Sequence, residues 1–258
     1  MRMLLPDLRD DLSDADLDTA YAWPGGDVRQ PWLRANMVST VDGAARSPDG
    51  LSAGISNDAD RRVFGRLRGL ADVVLAGAGT VRQEGYRPAQ VKPDFVERRR
   101  TAGQAPVPAI AVLSRSLGLD LTSALFTEAT ERTIVITTAS SDPGTRARTA
   151  EVADVIVAGD DDVDVVAAVA ALRERGLARV HAEGGPTLLG ELAARGLLDE
   201  LLLTVSPVLA GGVYADRSEV HRILAGSVLD DAPRPVHLHH LLEDHGTLFL
   251  SYRTEPHR

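Results

Sequence analysis

The sequence contains no cysteine among its 258 residues. This absence excludes disulfides, thiolate zinc sites, iron–sulfur clusters and a cysteine nucleophile, and it is consistent with a reducing cytosol. No apolar run approaches the roughly 20 residues of a membrane span. The start MRMLLPDLRDDLSDADLD turns acidic where a signal peptide would need its apolar stretch. These absences predict a soluble, cytoplasmic protein.

Basic residues are too few for a typical nucleic-acid binder. The chain has 28 Lys and Arg against 37 Asp and Glu, a net charge of −9. Affinity for nucleic acids comes from basic side chains that neutralise phosphates, so this balance argues against such a partner. The motifs GxxxxGK[ST] and HExxH are absent as well. Any anionic ligand must therefore be held by local groups.

Strands and helices alternate from residue 32 onward. One helix is predicted to start with Ser56 or Asn57 as its cap and to carry Leu70 on its apolar face. Two more are predicted at about 162–175 and from Pro186 or Thr187 to Arg195. This alternation predicts an α/β protein, a three-layer sandwich with a mostly parallel central sheet and a C-terminal antiparallel hairpin. The predicted strands are 33–41, 72–78, 108–113, 133–138, 154–158, 178–182, 199–209, 235–242 and 246–253.

Two segments interrupt this pattern. Residues 1–31 mix acidic and turn-forming residues, which predicts a loosely ordered N-terminal extension ahead of a single domain at 32–258. Residues 82–106, rich in Arg, Pro and Gln, predict a long loop with a short helix, a length that is more often functional than idle. The run Arg98-Arg99-Arg100 is interpreted as a solvated face.

The strongest local motif is HAEGGPTLLGEL at 181–192, directly after a predicted strand. Gly184 and Gly185 allow the backbone to approach a ligand closely, and Pro186 suits the first position of a helix. The amide groups of such a helix start favour phosphate. Glu183 stands at the strand end, where open α/β sheets bind ligands. The alternative is an ordinary strand-to-helix turn with a surface carboxylate.

A second glycine turn, Gly77-Ala78-Gly79, follows the strand at 72–78, but Arg82 stands where a dinucleotide fingerprint has its third glycine. Beyond the strand at 108–113, Ser114 and Arg115 offer a hydroxyl and a guanidinium suited to a 2′-phosphate. A solvated surface pair is the alternative. Together the two turns are consistent with one extended nucleotide.

Other clusters favour plain structural roles. The four histidines near the C-terminus could form a metal site, but an edge strand is the preferred interpretation, so we predict no metal. The acidic run ending at Asp164 is typical of the first turn of a helix. The histidines are His237, His239, His240 and His245.

Three blocks resemble, in order, the reductase domain of the bacterial riboflavin-biosynthesis deaminase/reductase, and the chain is similar to stand-alone pyrimidine reductase family proteins. The blocks are RANMVSTVDGAA, ISNDADRRVFGRLRGLADVVLAGAGTVRQEG and EGGPTLLGELAARGLLDELLLTVSPVLAGG. The resemblance implies a dihydrofolate-reductase-like fold, NADPH as cofactor and a homodimer. It further implies reduction of 5-amino-6-(5-phosphoribosylamino)uracil to its ribityl form. The deaminase motif H-x-E with P-C-x-x-C cannot exist without Cys.

The resemblance also implies roles for individual residues. Substrate contacts fall at Ser52, Arg68 and Glu183, and Asp42 matches an aspartate in a turn of the family. Asp60 lies where dihydrofolate-reductase-like relatives place a carboxylate on the heterocycle, so Glu183 and Asp60 are the candidate catalytic acids. The implied cofactor contacts are Val38, Gly54, Thr80, Glu84, Ser114 and the turn Gly185, Pro186, Thr187, Leu188, Leu189 onward to Glu191.

The chain departs from the family pattern at two places, which leaves alternatives open. Gly54 replaces a tryptophan, and Glu84-Gly85-Tyr86 replaces Asp-Asp-Pro. The first alternative is a dihydropterin or dihydrofolate reductase in which Asp60 binds the ring. The second is a nucleotide-binding protein without catalysis.

Overall fold

The computed structural model describes residues 1–24, 31–213, 221–230 and 232–255. Within these ranges it contains ten strands and eight helices. The strands are β1 (Arg2–Leu5), β2 (Trp32–Thr40), β3 (Val73–Gly77), β4 (Ala109–Leu113), β5 (Ile134–Thr137), β6 (Asp154–Val157), β7 (Arg179–Ala182), β8 (Glu200–Ser206), β9 (His237–Asp244) and β10 (Thr247–Arg253). The helices are α1 (Asp14–Ala20), α2 (Asp58–Leu70), α3 (Ala78–Gln83), α4 (Phe95–Thr101), α5 (Ala124–Thr127), α6 (Pro143–Val152), α7 (Val165–Glu174) and α8 (Pro186–Ala194).

The chain divides into two compact units. Unit 1 consists of Met1–Ala22, Leu33–Leu67 and Glu183–Arg258, and unit 2 consists of Trp23–Trp32 and Arg68–Ala182. Among the helices that the structure describes, none is long and apolar enough to cross a membrane.

Unit 1 has its strands in the order β1-β9-β10-β8-β2. β9 pairs antiparallel with β1 and with β10, and β10 pairs antiparallel with β8. β2 and β8 run parallel, with Val38 opposite Thr204. The predicted C-terminal hairpin, formed by β9 and β10, is therefore confirmed.

Unit 2 contains the strand order β7-β3-β4-β5-β6, and each strand in this order pairs in parallel with the next. Its core includes Val74, Ile110, Val112 and Val135, which are buried on these strands. Continuous apolar strands of this kind are typical of a parallel sheet that is covered on both faces. The predicted mostly parallel α/β architecture is confirmed.

The expectation of a loosely ordered N-terminus is wrong for the described residues 1–22, while 25–30 of that segment lie outside the described ranges. β1 pairs with β9, and Ser13 caps α1 in a reciprocal capping box with Asp16. The buried Asp18 accepts two hydrogen bonds from the buried Arg66, one of them 2.7 Å from Nε to Oδ1. The partners of β1 and of Asp18 lie far away in the sequence, so no local pattern predicts them.

The interpretation of Arg98-Arg99-Arg100 as a solvated face is wrong at Arg99, which is only 1% exposed. Its guanidinium donates to the carbonyls of Ala105, Gly69 and Ala71 at 2.8, 2.9 and 2.7 Å. A buried arginine needs such acceptors because an unpaired buried charge is costly. The predicted short helix in this region is α4. The hydrogen bonds of Arg99 to Gly69 and Ala71 anchor this helix within unit 2.

Four helices were not predicted from the sequence: α1, α3, α5 and α6. α6 has a recognisable start, because the side chain of Asp142 accepts from the backbone of Thr145 and Pro143 occupies its first turn. A cap residue followed by proline is a known start signal. The helix has no marked apolar stripe, and periodicity alone therefore missed it.

Candidate functional site

The glycine turn before α8 has the backbone geometry that only glycine adopts readily. Gly184 has φ +83°, and a Cβ built there would lie 2.9 Å from the Sδ of Met37. A side chain at Gly184 would therefore be strained and would also collide. The peptide bond between Gly184 and Gly185 is cis. The chain thus keeps bare backbone at the start of α8.

The first turn of α8 presents amides to whatever lies in front of it. Gly185 is the N-cap residue and supplies no side-chain cap, and Pro186 has no amide hydrogen. The amide of Leu189 donates to the carbonyl of Gly185 at 3.0 Å, and its side chain is buried. Thr187 and Leu188 are consequently the positions whose amides lack an intrahelical acceptor. This geometry, with the positive end of the helix dipole, suits an anion.

Glu183 lies directly before this turn and is 8% exposed. A carboxylate is rarely buried unless other groups satisfy it, and so a functional or structural reason is expected for its position. The structure thus supports the sequence prediction that Glu183 is more than a surface residue, while its catalytic role stays a prediction.

Asp60 is another buried carboxylate in unit 1, and several side chains form hydrogen bonds with it or with its neighbours. Its two oxygens accept from the hydroxyls of Ser56, at 2.6 Å, and Thr204, at 2.7 Å. Asn57 accepts from the backbone amide of Asp60 at 2.9 Å and donates to Thr247 Oγ1 at 2.7 Å. The predicted helix start at Asn57 is confirmed. Sequence reasoning missed Thr204 and Thr247, which become partners only through the tertiary fold.

Asp42 has a structural role in unit 1. Its carboxylate accepts from the hydroxyl of Thr40 and from the amides of Ala210 and Gly211. These hydrogen bonds, with the Thr40 hydroxyl as the largest contribution, lower the pKa of Asp42 to about 2. The carboxylate thus ties the turn after β2 to the loop after β8, while substrate contact by Asp42 stays a prediction.

Ser52 and Gly54 occupy the loop between β2 and α2. Ser52 is half-buried, and its carbonyl accepts from the amides of Ile55 and Ser56 at 3.0 and 3.1 Å. A Cβ at Gly54 would approach Ser47 Oγ to 2.3 Å and Ser47 Cβ to 2.6 Å. Gly54, which replaces the tryptophan of the family, therefore leaves the space that the side chain of Ser47 occupies.

In unit 2, Thr80 lies on α3, and its carbonyl accepts from the amide of Glu84, which caps that helix. The chain then turns at Gly85, with φ +62°. The guanidinium of Arg68 lies 5.2 Å from the ring centre of Tyr86, a cation–π geometry. At the positions where the chain departs from the family, Gly85 thus adopts a left-handed conformation and Tyr86 provides the ring that Arg68 contacts.

Ser114 and Arg115 follow β4 in unit 2 and have different environments. Ser114 is 3% exposed, and no described residue forms a hydrogen bond with its Oγ. Arg115 is exposed, and its Nη1 lies 2.9 Å from Asp162 Oδ1. A buried hydroxyl without a partner costs about 1–3 kcal/mol. A ligand group at this position would relieve that cost.

The histidines near the C-terminus lie in different environments. Among the described residues there is no group of three or more His, Cys, Asp or Glu that could hold a metal ion. His240 is buried against Tyr21, with the rings 4.8 Å apart edge to face, and burial lowers its pKa to about 4. His237 lies 3.1 Å from the exposed Glu255. The edge-strand interpretation is wrong for β9, because this strand pairs with β1 on one side and with β10 on the other, and β1 takes the edge position.

Comparison with known proteins identifies the relatives of this chain. It is 26% identical over 183 residues to the 2,5-diamino-6-ribosylamino-4(3H)-pyrimidinone 5′-phosphate reductase of Archaeoglobus fulgidus, covering 71% of this chain and 83% of that protein. It is 27% identical over 186 residues to the riboflavin biosynthesis protein RibD of Bacillus amyloliquefaciens, covering 72% of this chain and 48% of that protein. The chain thus spans about half the length of that relative.

Solved structures agree with these relatives. A pyrimidine reductase-like protein from Corynebacterium diphtheriae matches with a TM-score of 0.78 at 26% identity, covering 95% of this chain and 100% of that one. The deaminase/reductase of Thermotoga maritima matches in fold, with a TM-score of 0.67 at 19% identity, covering 88% of this chain and 57% of that one.

The fold is therefore that of pyrimidine reductase-like proteins. The family model of the RibD C-terminal domain matches residues 31–229, which is well over half of the chain. The chain belongs to the RibD C-terminal domain family, and the resemblance seen in its sequence blocks is confirmed.

Proposed function

We propose that this chain is an NADPH-dependent reductase of a phosphoribosylaminopyrimidine in riboflavin biosynthesis. The observation that carries the proposal is the buried Glu183 placed directly before the glycine turn of α8, in a chain of the RibD C-terminal domain family. The turn suits a phosphate, and the carboxylate suits proton or hydroxyl chemistry on a neighbouring substrate.

Each unit, taken by itself, offers groups suited to a part of a nicotinamide nucleotide. In unit 1 the amides of Thr187 and Leu188 would bind the pyrophosphate, with Gly184 and Gly185 permitting close approach. In unit 2 the hydroxyl of Ser114, for which no described residue is a hydrogen-bond partner, and the neighbouring Arg115 would bind the adenosine end. The remaining proposed cofactor contacts are Val38, Gly54, Thr80, Glu84, Pro186 and Leu189.

When bound, NADPH supplies a hydride, which reduces the imine carbon formed when the ribose ring of the substrate opens. The substrate nitrogen takes its proton from an acidic side chain or from water, and Glu183 and Asp60 are the candidate acids. The hydroxyls of Ser56 and Thr204 hold the carboxylate of Asp60 in one orientation. Ser52 and Arg68 would bind polar groups of the substrate. The main contribution of the protein is alignment.

The experiment is a steady-state assay of NADPH oxidation with two substrates. One is 5-amino-6-(5-phosphoribosylamino)uracil, and the other is 2,5-diamino-6-ribosylamino-4(3H)-pyrimidinone 5′-phosphate, the compound in the name of the Archaeoglobus relative. Turnover of either supports the reductase, and the ratio of kcat/KM identifies the preferred heterocycle. NADPH binding without turnover of any pyrimidine or pterin would refute catalysis and favour a binding protein.

A second candidate is reduction of a dihydropterin, and the observation that favours it is the buried, doubly hydrogen-bonded Asp60. A fixed carboxylate can accept hydrogen bonds from the ring nitrogen and amino group of a pterin. Dihydrofolate in the same assay separates the two functions. Asp60→Asn should reduce pterin turnover most strongly if this candidate is correct.

A further inference from the structure

Arg115 has a carboxylate partner on a neighbouring loop of unit 2. β4 and β6 flank β5 in parallel, so the residues that follow them meet at the same edge. Arg115 follows β4, and Asp162 lies in the turn after β6. The contact between Arg115 Nη1 and Asp162 Oδ1 is 2.9 Å, and the two side chains are 68% and 78% exposed.

The turn that carries Asp162 is fixed by its own backbone. Gly159 has φ +94°, and a Cβ there would lie 2.2 Å from the carbonyl oxygen of Asp162. Asp164 donates its amide to Ala158 at 3.1 Å, and its side chain caps α7. The carbonyl of Asp160 accepts from the amide of Ser140 at 3.0 Å. Asp162 is therefore presented at a defined position beside Arg115.

An arginine and a carboxylate at this kind of position favour different dinucleotides. A guanidinium accommodates the 2′-phosphate of NADP, whereas a carboxylate accepts a hydrogen bond from the free 2′-hydroxyl of NAD. This chain places one of each in direct contact. We propose that Asp162 is a specificity-determining residue that competes with the 2′-phosphate for Arg115 and so weakens the preference for NADPH. This inference rests on the proposed function, in which Arg115 binds the adenosine end of the cofactor.

The electrostatics give the direction of the effect. To bind the 2′-phosphate, Arg115 must exchange Asp162 for the phosphate, and the released carboxylate then repels that dianion. With NADH the ion pair stays intact. Loss of the negative charge at Asp162 should therefore tighten NADPH binding without tightening NADH binding. Raising the salt concentration should shrink this difference because both groups are exposed.

Fluorescence titration of the full chain with NADPH and with NADH tests the proposal. Asp162→Asn should lower the Kd for NADPH about two- to fivefold, a range set by the modest strength of exposed ion pairs. Asp162→Glu, which keeps the charge, should restore most of the original Kd. Asp161→Asn is the matched control, since it removes the same charge from the same exposed turn. Its shift should be clearly smaller.

A double-mutant cycle separates competition from general charge. In an Arg115→Ala background, Asp162→Asn should lose most of its effect on NADPH, because there is no arginine left to release. Equal shifts for NADPH and NADH, equal shifts in the Asp161 and Asp162 variants, or no shift would overturn the proposal while leaving the reductase intact. Failure of the original protein to bind either dinucleotide would refute the proposed function and this inference with it.

Discussion

Thr204 Oγ1 on β8 donates a hydrogen bond of 2.7 Å to Asp60 Oδ1 on α2, across 144 positions of the sequence. Both residues are buried, with Thr204 2% and Asp60 8% exposed. A buried carboxyl group depends on hydrogen-bond partners of this kind. This contact therefore links the orientation of a candidate acid to one hydroxyl on a strand.

The first prediction concerns that hydroxyl. Thr204→Val keeps the shape of the side chain but leaves Asp60 with one donor fewer, which should cost about 1–3 kcal/mol of the free energy of unfolding. Turnover should fall, while the Kd for NADPH should change little. Urea unfolding and a cofactor titration measure the two quantities. Thr204→Ser retains the donor and is the control; an equally inactive serine variant would contradict the hydrogen-bond explanation.

The second prediction addresses Glu183. Glu183→Gln preserves size and removes charge, so kcat or substrate affinity should fall while NADPH binding stays within about 1 kcal/mol, the range for one lost neutral contact. Steady-state kinetics and fluorescence titration give both values. Glu174→Gln, at an exposed position of α7, is the control. Loss of NADPH binding in Glu183→Gln would remove this residue from the substrate side.

The third prediction is the reverse pattern at the glycine turn. Gly185→Val introduces a β-branched side chain at the start of α8, which should block the approach of a pyrophosphate to the amides of Thr187 and Leu188. NADPH affinity should fall by at least about tenfold, equivalent to 1.4 kcal/mol. Circular dichroism verifies the fold of the variant. Undiminished NADPH affinity would show that the cofactor does not use this turn.

The fourth prediction concerns pH and His240. Burial lowers the pKa of His240 from 6.5 to about 4. Between pH 4 and pH 6.5 the unfolded chain binds a proton at His240 that the folded chain does not bind. The free energy of unfolding therefore rises with pH in this range, and above about pH 6.5 His240 no longer lowers it. Groups that act on His240 include Glu200, His239, Arg253 and Arg34, and Tyr21 packs on its ring.

His240→Phe should therefore lose less stability than the original protein on acidification from about pH 7 to about pH 4.5. Urea midpoints at several pH values measure the difference. His245→Gln, at a side chain 97% exposed, controls for removal of one imidazole. Parallel pH curves for the original protein and His240→Phe would contradict the assignment.

The fifth prediction is a homodimer through the sheet of unit 1. Alternate residues of β8 and β10, among them Leu203 and its cross-strand partner Leu250, are half-buried, whereas Leu202 and Phe249 between them are 2% exposed. An apolar face of this kind tends to find a partner. Light scattering should give about twice the 27.5 kDa chain mass, and Leu203→Glu should give monomers. A stable monomer of the original chain at micromolar concentration would remove the prediction.

Most helix and strand positions could be predicted because their signals are local. Asn57 caps α2 as its residue type suggests, and α8 begins at Pro186 and ends just before Gly196, the expected glycine beyond a helix end. The parallel strands of unit 2 appear as short apolar runs. Such signals depend on neighbours within a few residues of each other.

The N-terminal segment and Arg99 could not be predicted in the same way. β1 gains its partner from β9 near the opposite end of the chain, and Asp18 is paired with Arg66. Arg99 looks like a solvated arginine until carbonyls at Gly69 and Ala71 surround it. In each case the deciding energy comes from a contact that exists only after folding.

The sequence by itself determined the α/β alternation, the glycine turn that begins α8 and the position of Glu183 before it. The tertiary structure alone decided that Thr204 holds Asp60, that Ser114 lacks a partner among the described residues and that Asp162 lies against Arg115. The physical reason is the distance along the sequence between the residues that interact. Backbone conformation and helix capping are set by adjacent residues, whereas the burial and pairing of polar side chains depend on which distant segments the fold brings together.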